Sequence, residues 1–215
     1  MWEMHSLSHC DTATKYSYFG RPQKIALESW KRGELVKPIR VHLNLLTSKV
    51  FLGDFGLAIK AGTSVEHKEQ CPAACCAPER YHGVDPSPAS DMWSYMCIFT
   101  ELYMGITPFF PGGGKGLMVG WCSTLGPLPE HWKGYCTIPE VSHMDLFYDQ
   151  SRPVNPERNL GARIASIRPE TSDTERSLVM TVFAKVFCYQ PEHRITASQL
   201  LEDSSFKALM AIYKC

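Results

Sequence analysis

The stretch from Ser90 to Gly105 reads SDMWSYMCIFTELYMG, and it decides the fold. Ser90 is a good N-cap, Asp91 places negative charge in the first helical turn, and Gly105 suits the position just past a helix C-terminus. Between these ends the apolar residues point all around the helix axis. A helix that is apolar on every side is buried. We therefore expect a helix over about 91–104 to form the centre of a soluble domain, with Trp93 and Phe99 in the core.

The charges of the chain are balanced, with 22 Lys plus Arg against 22 Asp plus Glu in 215 residues. This balance gives no reason to expect binding to nucleic acid or to a membrane surface. No transmembrane segment is expected, and the first residues lack the basic start and apolar run of a signal peptide. The nine cysteines have no regular spacing. They predict reduced thiols in an intracellular protein, either cytoplasmic or nuclear.

Two groups of residues contain side chains that could bind a metal ion. They are Cys71, Cys75 and Cys76, and His5, His9 and Cys10. A structural zinc site needs a second pair of ligands at a characteristic spacing, and neither group is followed by one. We therefore expect neither group to bind a metal.

The rest of the chain predicts a mainly α fold with one short β element. Residues 1–48 are irregular in pattern and predict an insertion-like segment. Residues 49–53 form a short β-branched and aromatic run that predicts a strand. Residues 57–89 contain many Gly and Pro breaks and predict loops. Apolar residues at helical spacing predict further helices at Met118–Leu125, Ser177–Tyr189 and Thr196–Leu209, the last of them capped by Thr196.

Four motifs, the first of which is a pair of tripeptides, occur in an order that points to one family. Asp54-Phe55-Gly56 follows the predicted strand, and Ala77-Pro78-Glu79 comes later; they match the D-F-G and A-P-E ends of a protein-kinase activation segment. The start of the central helix, the turn at 107–109 and the junction at 190–197 also resemble protein kinases. The chain therefore resembles the C-terminal lobe of a eukaryotic-type protein kinase. The segments 125–129 and 20–22 resemble those of fungal SR-protein-kinase-like serine/threonine kinases.

The resemblance implies a domain layout and a set of residue roles. Residues 49–215 would form the kinase C-lobe, with an activation segment at 54–79 and a helical part at 80–215. In the family the D-F-G aspartate holds Mg²⁺ against the ATP phosphates, which assigns metal and cofactor binding to Asp54. The structural roles fall on Glu79, Arg194, Asp91 and Trp93, with Glu79 and Arg194 expected to form a buried or half-buried ion pair. Thr63 and Ser64 are candidate phosphorylation sites.

The departures from the family pattern concern the catalytic groups. The chain shows no glycine-rich loop, no strand lysine with its helical glutamate, and no H-R-D-x-x-x-x-N loop. His9-Cys10-Asp11 is similar to the start of that loop, but Tyr16 stands where asparagine is required. Asn44 has Ile39 in place of the aspartate five residues earlier. The chain thus looks as if it lacks the N-lobe and begins immediately after the catalytic asparagine.

Two functions remain open on the sequence alone. The first is a serine/threonine protein kinase domain that is truncated and inactive as this single chain, with no catalytic residue of its own. Mg²⁺ and ATP are implied by the family but are not expected to bind productively. The alternative is a non-catalytic, pseudokinase-like binding or scaffold fragment. In either case the expected partner is a protein, with Arg-Ser-rich proteins as candidates.

Overall fold

The computed structural model describes residues 2–26, 34–109, 114–154 and 156–214. The chain divides into two compact units, of which the first ends at Gly56 and the second begins at Leu57. The start of the kinase C-lobe at residue 49, which the family resemblance implies, stays a prediction.

The first unit contains two small antiparallel sheets and one helix. Strand β1 (Trp2–Met4) pairs with β4 (Leu46–Val50), and β2 (Lys24–Ala26) pairs with β3 (Glu34–Val36). Helix α1 (Thr12–Phe19) lies between β1 and β2 in the chain. Residues 1–48 therefore hold more regular structure than their pattern indicates, because each piece is too short to give a periodic signal.

Strand β4 comes earlier than the predicted strand at 49–53. It ends at Val50, which lies opposite Trp2 in the register with β1. The hydroxyl of Thr47 donates to the carboxylate of Glu3 at 2.7 Å and ties the same two strands together. Cross-strand pairing sets the bounds of this strand, whereas the sequence shows only where β-forming residues are dense.

The second unit is helical, so the predicted mainly α fold class is confirmed. Its helices are α2 (Pro88–Met104), α3 (Lys115–Leu125), α4 (Leu160–Ile167), α5 (Asp173–Val186), α6 (Ala197–Glu202) and α7 (Ser204–Ile212). Short 3-10 turns join several of them, among them Ala73–Cys75 and Pro78–His82. No helix in the described ranges combines the length and apolarity needed to cross a membrane.

Helix α2 starts three residues before the predicted helix. Ser87, and not Ser90, is the N-cap, and the two serines form a reciprocal capping box. The amide of Ser90 donates to the Ser87 hydroxyl at 3.3 Å, and the amide of Ser87 donates to the Ser90 hydroxyl at 2.9 Å. Pro88 is favourable at the first helical position, because its missing N–H would have had no helical partner. The predicted end is correct: Gly105 adopts a left-handed φ of 73° there.

The core of the second unit is an aromatic cluster around Trp93. The Trp93 ring stacks on Phe109 at a centroid distance of 5.2 Å and meets the Phe187 ring nearly edge-on at 5.2 Å. Trp121 packs against the same indole at 6.5 Å in a T-shaped arrangement. Trp93 is 0% exposed, as its place in the motif predicts. These rings come from α2, α3 and the residues that flank α3 and α5, so the cluster joins several helices.

The expected all-round burial of α2 is wrong for one side of the helix. Tyr95, Ile98 and Leu102 lie along a single helical face and are exposed, with Leu102 82% accessible. Phe99, which is expected in the core from the sequence, is only half-buried and packs against the edge of the core. An apolar sequence shows that a helix side can be buried, but a neighbouring element must be present to bury it, and the described residues supply none on this face.

The last predicted helix is two helices. Thr196 caps α6 together with Gln199, as the sequence indicates, but Asp203 interrupts the run predicted to reach Leu209. The carboxylate of Asp203 accepts the amides of Ser205 and Phe206, each at 3.0 Å, and so becomes the N-cap of α7. The same carboxylate contacts the ammonium of Lys185 on α5.

The aromatic cluster generates a stability prediction. We expect Trp93→Ala to lower the free energy of unfolding by about 3–5 kcal/mol, because it opens a large cavity at the centre of the core. Tyr95→Ala, on the exposed face of the same helix, should cost about 1 kcal/mol or less. Urea unfolding followed by circular dichroism measures both values. Similar losses for the two variants would contradict the placement of Trp93 in the core.

Candidate functional site

A buried ion pair anchors the residues that follow the D-F-G motif to the helices. The Arg194 guanidinium donates to both carboxylate oxygens of Glu79, with Nη1–Oε1 at 2.8 Å and Nη2–Oε2 at 3.0 Å. Both side chains are completely buried. Two parallel charge-assisted hydrogen bonds are the strong geometry for arginine and carboxylate. The A-P-E motif is thereby fixed to the junction after α5.

The Arg194 guanidinium also contacts three further residues. It donates to the carbonyl oxygen of Ala89 at 2.7 Å and, twice, to that of Cys188, at 2.8 and 3.2 Å. Its guanidinium carbon lies 5.1 Å from the centroid of the Trp93 indole. A buried charge is tolerated only when its hydrogen-bonding groups are satisfied, and Arg194 meets this condition. The structure therefore brings together three of the residues singled out from the sequence: Glu79, Arg194 and Trp93.

Asp91 occupies the first turn of α2, and its side chain is exposed. Its negative charge there is favourable to the positive end of the helix dipole. Unlike Glu79, it takes no part in the buried ion pair.

Asp54 lies in the first unit, at the end of the segment that follows β4. Its side chain is exposed, and its φ of 64° is in the left-handed region that few non-glycine residues adopt. In the part of the chain that the structure describes, no three His, Cys, Asp or Glu side chains are placed to hold a metal ion together. In protein kinases the D-F-G aspartate and a catalytic-loop asparagine together hold the Mg²⁺ ions on the nucleotide phosphates. The donor set seen here, a single exposed carboxylate, does not fit such a complex.

The two candidate phosphorylation sites differ in their surroundings. Thr63 is exposed, whereas the Ser64 hydroxyl donates to the Asp85 carboxylate at 3.2 Å. The Lys68 ammonium contacts Asp85 and lies 3.4 Å from the Ser64 oxygen. The hydrogen bond from Lys68 lowers the pKa of Asp85 to about 2. A phosphate on Ser64 would therefore meet one carboxylate and one ammonium.

The His9-Cys10-Asp11 tripeptide is part of a helix start. The Asp11 carboxylate accepts the amide of Thr14 at 2.7 Å and caps α1. This backbone hydrogen bond lowers the pKa of Asp11. Its carboxylate is thus engaged in capping, which is the ordinary role of an aspartate at this position.

A buried histidine in the second unit was missed from the sequence. His82 hydrogen-bonds through Nδ1 to the carbonyl oxygen of Pro78 and through Nε2 to the Tyr148 hydroxyl, both at 2.8 Å. The carbonyl can only accept, so Nδ1 carries a proton, and in the neutral ring Nε2 accepts a hydrogen bond from the Tyr148 hydroxyl. Trp132 stacks on the ring at 4.7 Å. Burial lowers the pKa of His82. No local signal could have paired His82 with Tyr148, because the two belong to separate segments.

The Glu79–Arg194 pair generates a second prediction. We expect Arg194→Ala to lower the free energy of unfolding by about 3–5 kcal/mol, because it leaves the Glu79 carboxylate buried without its cation. Arg158→Ala is the matched control, since that arginine is exposed, and it should change stability by about 0.5 kcal/mol or less. Thermal unfolding of the two variants gives the comparison. Equal melting temperatures would rule out the anchoring role of Arg194.

A third prediction concerns pH. The folded-state pKa of His82 lies below its unfolded value, so the unfolded chain takes up a proton first as the pH falls. Below about pH 6.5, this histidine should therefore cost at most about 1.4 kcal/mol of stability for each pH unit. We expect a flatter pH dependence for His82→Gln, and an unchanged one for the exposed control His67→Gln, in urea titrations at about pH 7.5 and 5.5. An unchanged slope for His82→Gln would refute this assignment.

Comparisons with known proteins agree with this geometry. The family model for the protein kinase domain matches residues 36–206. The chain is 32% identical over 185 residues to cyclin-dependent kinase 7 of Dictyostelium discoideum, which covers 83% of this chain and 46% of that protein. Human cyclin-dependent kinase 11A is 30% identical, covering 78% of this chain and 21% of its own length. The mouse dual specificity protein kinase CLK1 is 27% identical, with 62% and 28% covered. The chain spans less than half the length of these relatives. Because the family model matches most of the chain, we conclude that the chain belongs to the protein kinase domain family.

Proposed function

We propose that this chain forms the activation segment and helical C-terminal lobe of a serine/threonine protein kinase, and that as a single chain it transfers no phosphate. In this proposal residues 49–215 are the lobe, with the activation segment at 54–79. The order of the four motifs and the buried Glu79–Arg194 pair support the layout. The resemblance to SR-protein-kinase-like enzymes supports the finer subfamily.

The observation that carries the proposed inactivity is the donor set around Asp54. Protein kinases transfer a phosphoryl group from Mg²⁺-bound ATP to a protein, and they do so mainly by positioning and by electrostatic stabilisation. Asp54 supplies one exposed carboxylate, and no cluster of metal-binding side chains occurs in the described ranges. One carboxylate cannot position both the metal ion and three phosphates. We therefore infer weak or absent binding of Mg²⁺–ATP.

The acceptor hydroxyl has no evident base either. The one tripeptide similar to the catalytic loop ends in Asp11, whose carboxylate holds the first turn of α1 through the Thr14 amide. The asparagine required five residues later is replaced by Tyr16. Since positioning supplies most of the rate in this chemistry, loss of these groups should remove nearly all of it.

A second candidate function is a non-catalytic, pseudokinase-like binding protein. It is favoured by the contrast between the intact buried ion pair and the single exposed carboxylate. The proposed lobe keeps the ion pair that fixes its shape. The described residues do not supply the full set of groups that phosphoryl transfer needs. The proposed partner in both cases is a protein, with Arg-Ser-rich sequences taken from the subfamily resemblance. The eight free cysteines of the described part support an intracellular location.

The proposal is tested by transfer of radiolabelled phosphate from ATP. The purified chain, Asp54→Asn, Asp11→Asn and the control Asp149→Asn are each given an Arg-Ser-rich peptide and a basic protein as substrates. We expect all four to give counts at the level of the blank, because the positioning groups are missing. Transfer that is lost in Asp54→Asn but kept in Asp149→Asn would overturn the proposed inactivity. Its additional loss in Asp11→Asn would identify a rearranged catalytic loop.

The two candidate functions are separated by the transcript upstream of the Met1 codon. A coding sequence there for a glycine-rich strand pair and a histidine-x-aspartate loop would favour the kinase lobe. Its absence, together with binding of an Arg-Ser-rich peptide in a calorimetric titration, would favour the binding protein.

A further inference from the structure

A cavity of about 250 Å³ in the second unit is lined in part by the buried arginine Arg80. Arg80, directly after the A-P-E motif, is only 7% exposed, and its Nε atom has no hydrogen-bond partner among the described residues. A guanidinium stays charged at all ordinary pH values. A buried cation with an unpartnered N–H favours any nearby group that can become an anion.

That group is the thiol of Cys71, which lines the same cavity. Cys71 is half-buried, and it lies within hydrogen-bonding reach of the fully buried thiol of Cys76. A 3-10 turn lies between the two cysteines and keeps the connecting chain short. The amide of Cys75 donates to the carbonyl of Pro72 at 2.9 Å, and the amide of Cys76 donates to that of Ala73 at 3.2 Å.

The two thiols have different acidities. The hydrogen bond from Cys76, helped by the positive charge of Arg80, lowers the pKa of Cys71 below its usual value. The same hydrogen bond, together with burial, raises the pKa of Cys76 well above its usual value. Asp91 opposes the ionisation of Cys71. The other ionisable groups that interact with Cys71 are Cys75, Tyr81 and Cys97. Cys71, which is half-buried and lines the cavity beside Arg80, is therefore the more acidic and the more accessible thiol of the two.

We propose that Cys71 and Cys76 are a redox-active pair, in which a peroxide oxidises Cys71 and Cys76 then closes a disulfide with it. The Cys71 thiolate attacks one oxygen of hydrogen peroxide, the O–O bond breaks, and the departing hydroxide takes up a proton to leave as water. This step leaves a sulfenic acid on Cys71. The Cys76 sulfur then attacks the Cys71 sulfur, the S–O bond breaks, and a second water leaves. The two thiols give two electrons, which reduce one peroxide to two waters.

A second pair of thiols, Cys75 and Cys97, provides an internal comparison. They also lie within hydrogen-bonding reach of each other. Cys97, however, is 1% exposed on the buried side of α2, and burial raises its pKa. Cys75 does not line the cavity beside Arg80. We therefore expect the Cys71–Cys76 disulfide to form first.

The test is peptide mapping of the reduced chain after treatment with hydrogen peroxide. Free thiols are blocked with N-ethylmaleimide, and the chain is cut with trypsin without reduction. The peptide 69–80 contains Cys71, Cys75 and Cys76, whereas Cys97 lies in the peptide 81–115. We expect the first product to be peptide 69–80 short of two hydrogens and carrying one maleimide, on Cys75. A first disulfide that joins the two peptides, or one that leaves Cys71 labelled, would overturn the proposal.

Variants test the two roles separately. In Cys76→Ser the sulfenic acid on Cys71 cannot be resolved, so trapping by dimedone at Cys71 should rise about fivefold or more. In Cys71→Ser neither product should form, while Cys188→Ser should behave as the parent chain. Dimedone trapping on Cys76 in place of Cys71 would refute the assigned order.

The role of Arg80 is tested with the same readout. Arg80→Met should slow the oxidation of Cys71 about threefold to tenfold, because less of the thiol is ionised, and Arg80→Lys should restore most of the rate. Should Arg80→Met fail to fold, the pH dependence of iodoacetamide labelling in the unaltered chain decides the matter. A labelling midpoint for Cys71 that lies clearly below the ordinary thiol value of about 8.5 supports the proposal, and a midpoint at or above that value overturns it.

Discussion

One buried guanidinium, that of Arg194, holds the second unit together. Removing a charge from water is costly, and the cost is offset only when every hydrogen-bonding direction of the ion is met. Here the partners are the Glu79 carboxylate and the carbonyls of Ala89 and Cys188, with the Trp93 ring against one side of the guanidinium. These partners come from the A-P-E motif, the start of α2 and the end of α5. None of the three regions can shift without leaving a buried polar group unpaired, so their mutual placement is fixed by a single side chain.

The parts of the fold that depend on neighbouring residues could be predicted from the sequence. Thr196 as a helix cap and Gly105 as a helix end follow from hydrogen bonds that act within one turn. Features that depend on distant partners could not. The limits of β4 are set by its pairing with β1, and the exposure of Leu102 reflects which elements lie beside α2. An apolar residue looks the same in a sequence whether or not something covers it.

The same division holds for the candidate site. Glu79 and Arg194 could be joined only because the family pattern links their motifs, since nothing local relates residues so far apart. The pairing of His82 with Tyr148 had no such pattern to reveal it. Cys71 and Cys76 were noticed as neighbours in the sequence and interpreted only as poor metal ligands. What distinguishes them is the buried Arg80 beside them, and burial is a property of the folded chain alone.

Asp203 has both a local and a tertiary role in the structure. Its carboxylate caps α7 through the amides of Ser205 and Phe206, and it also contacts Lys185 on α5. The capping hydrogen bonds involve only a few consecutive residues, whereas the contact with Lys185 requires α5 to be packed beside α7. A residue that only capped α7 would start this helix correctly. It would not fix the angle between α7 and α5. The direction of α7 relative to α5 is thus set by a side chain whose local role is only to begin a helix.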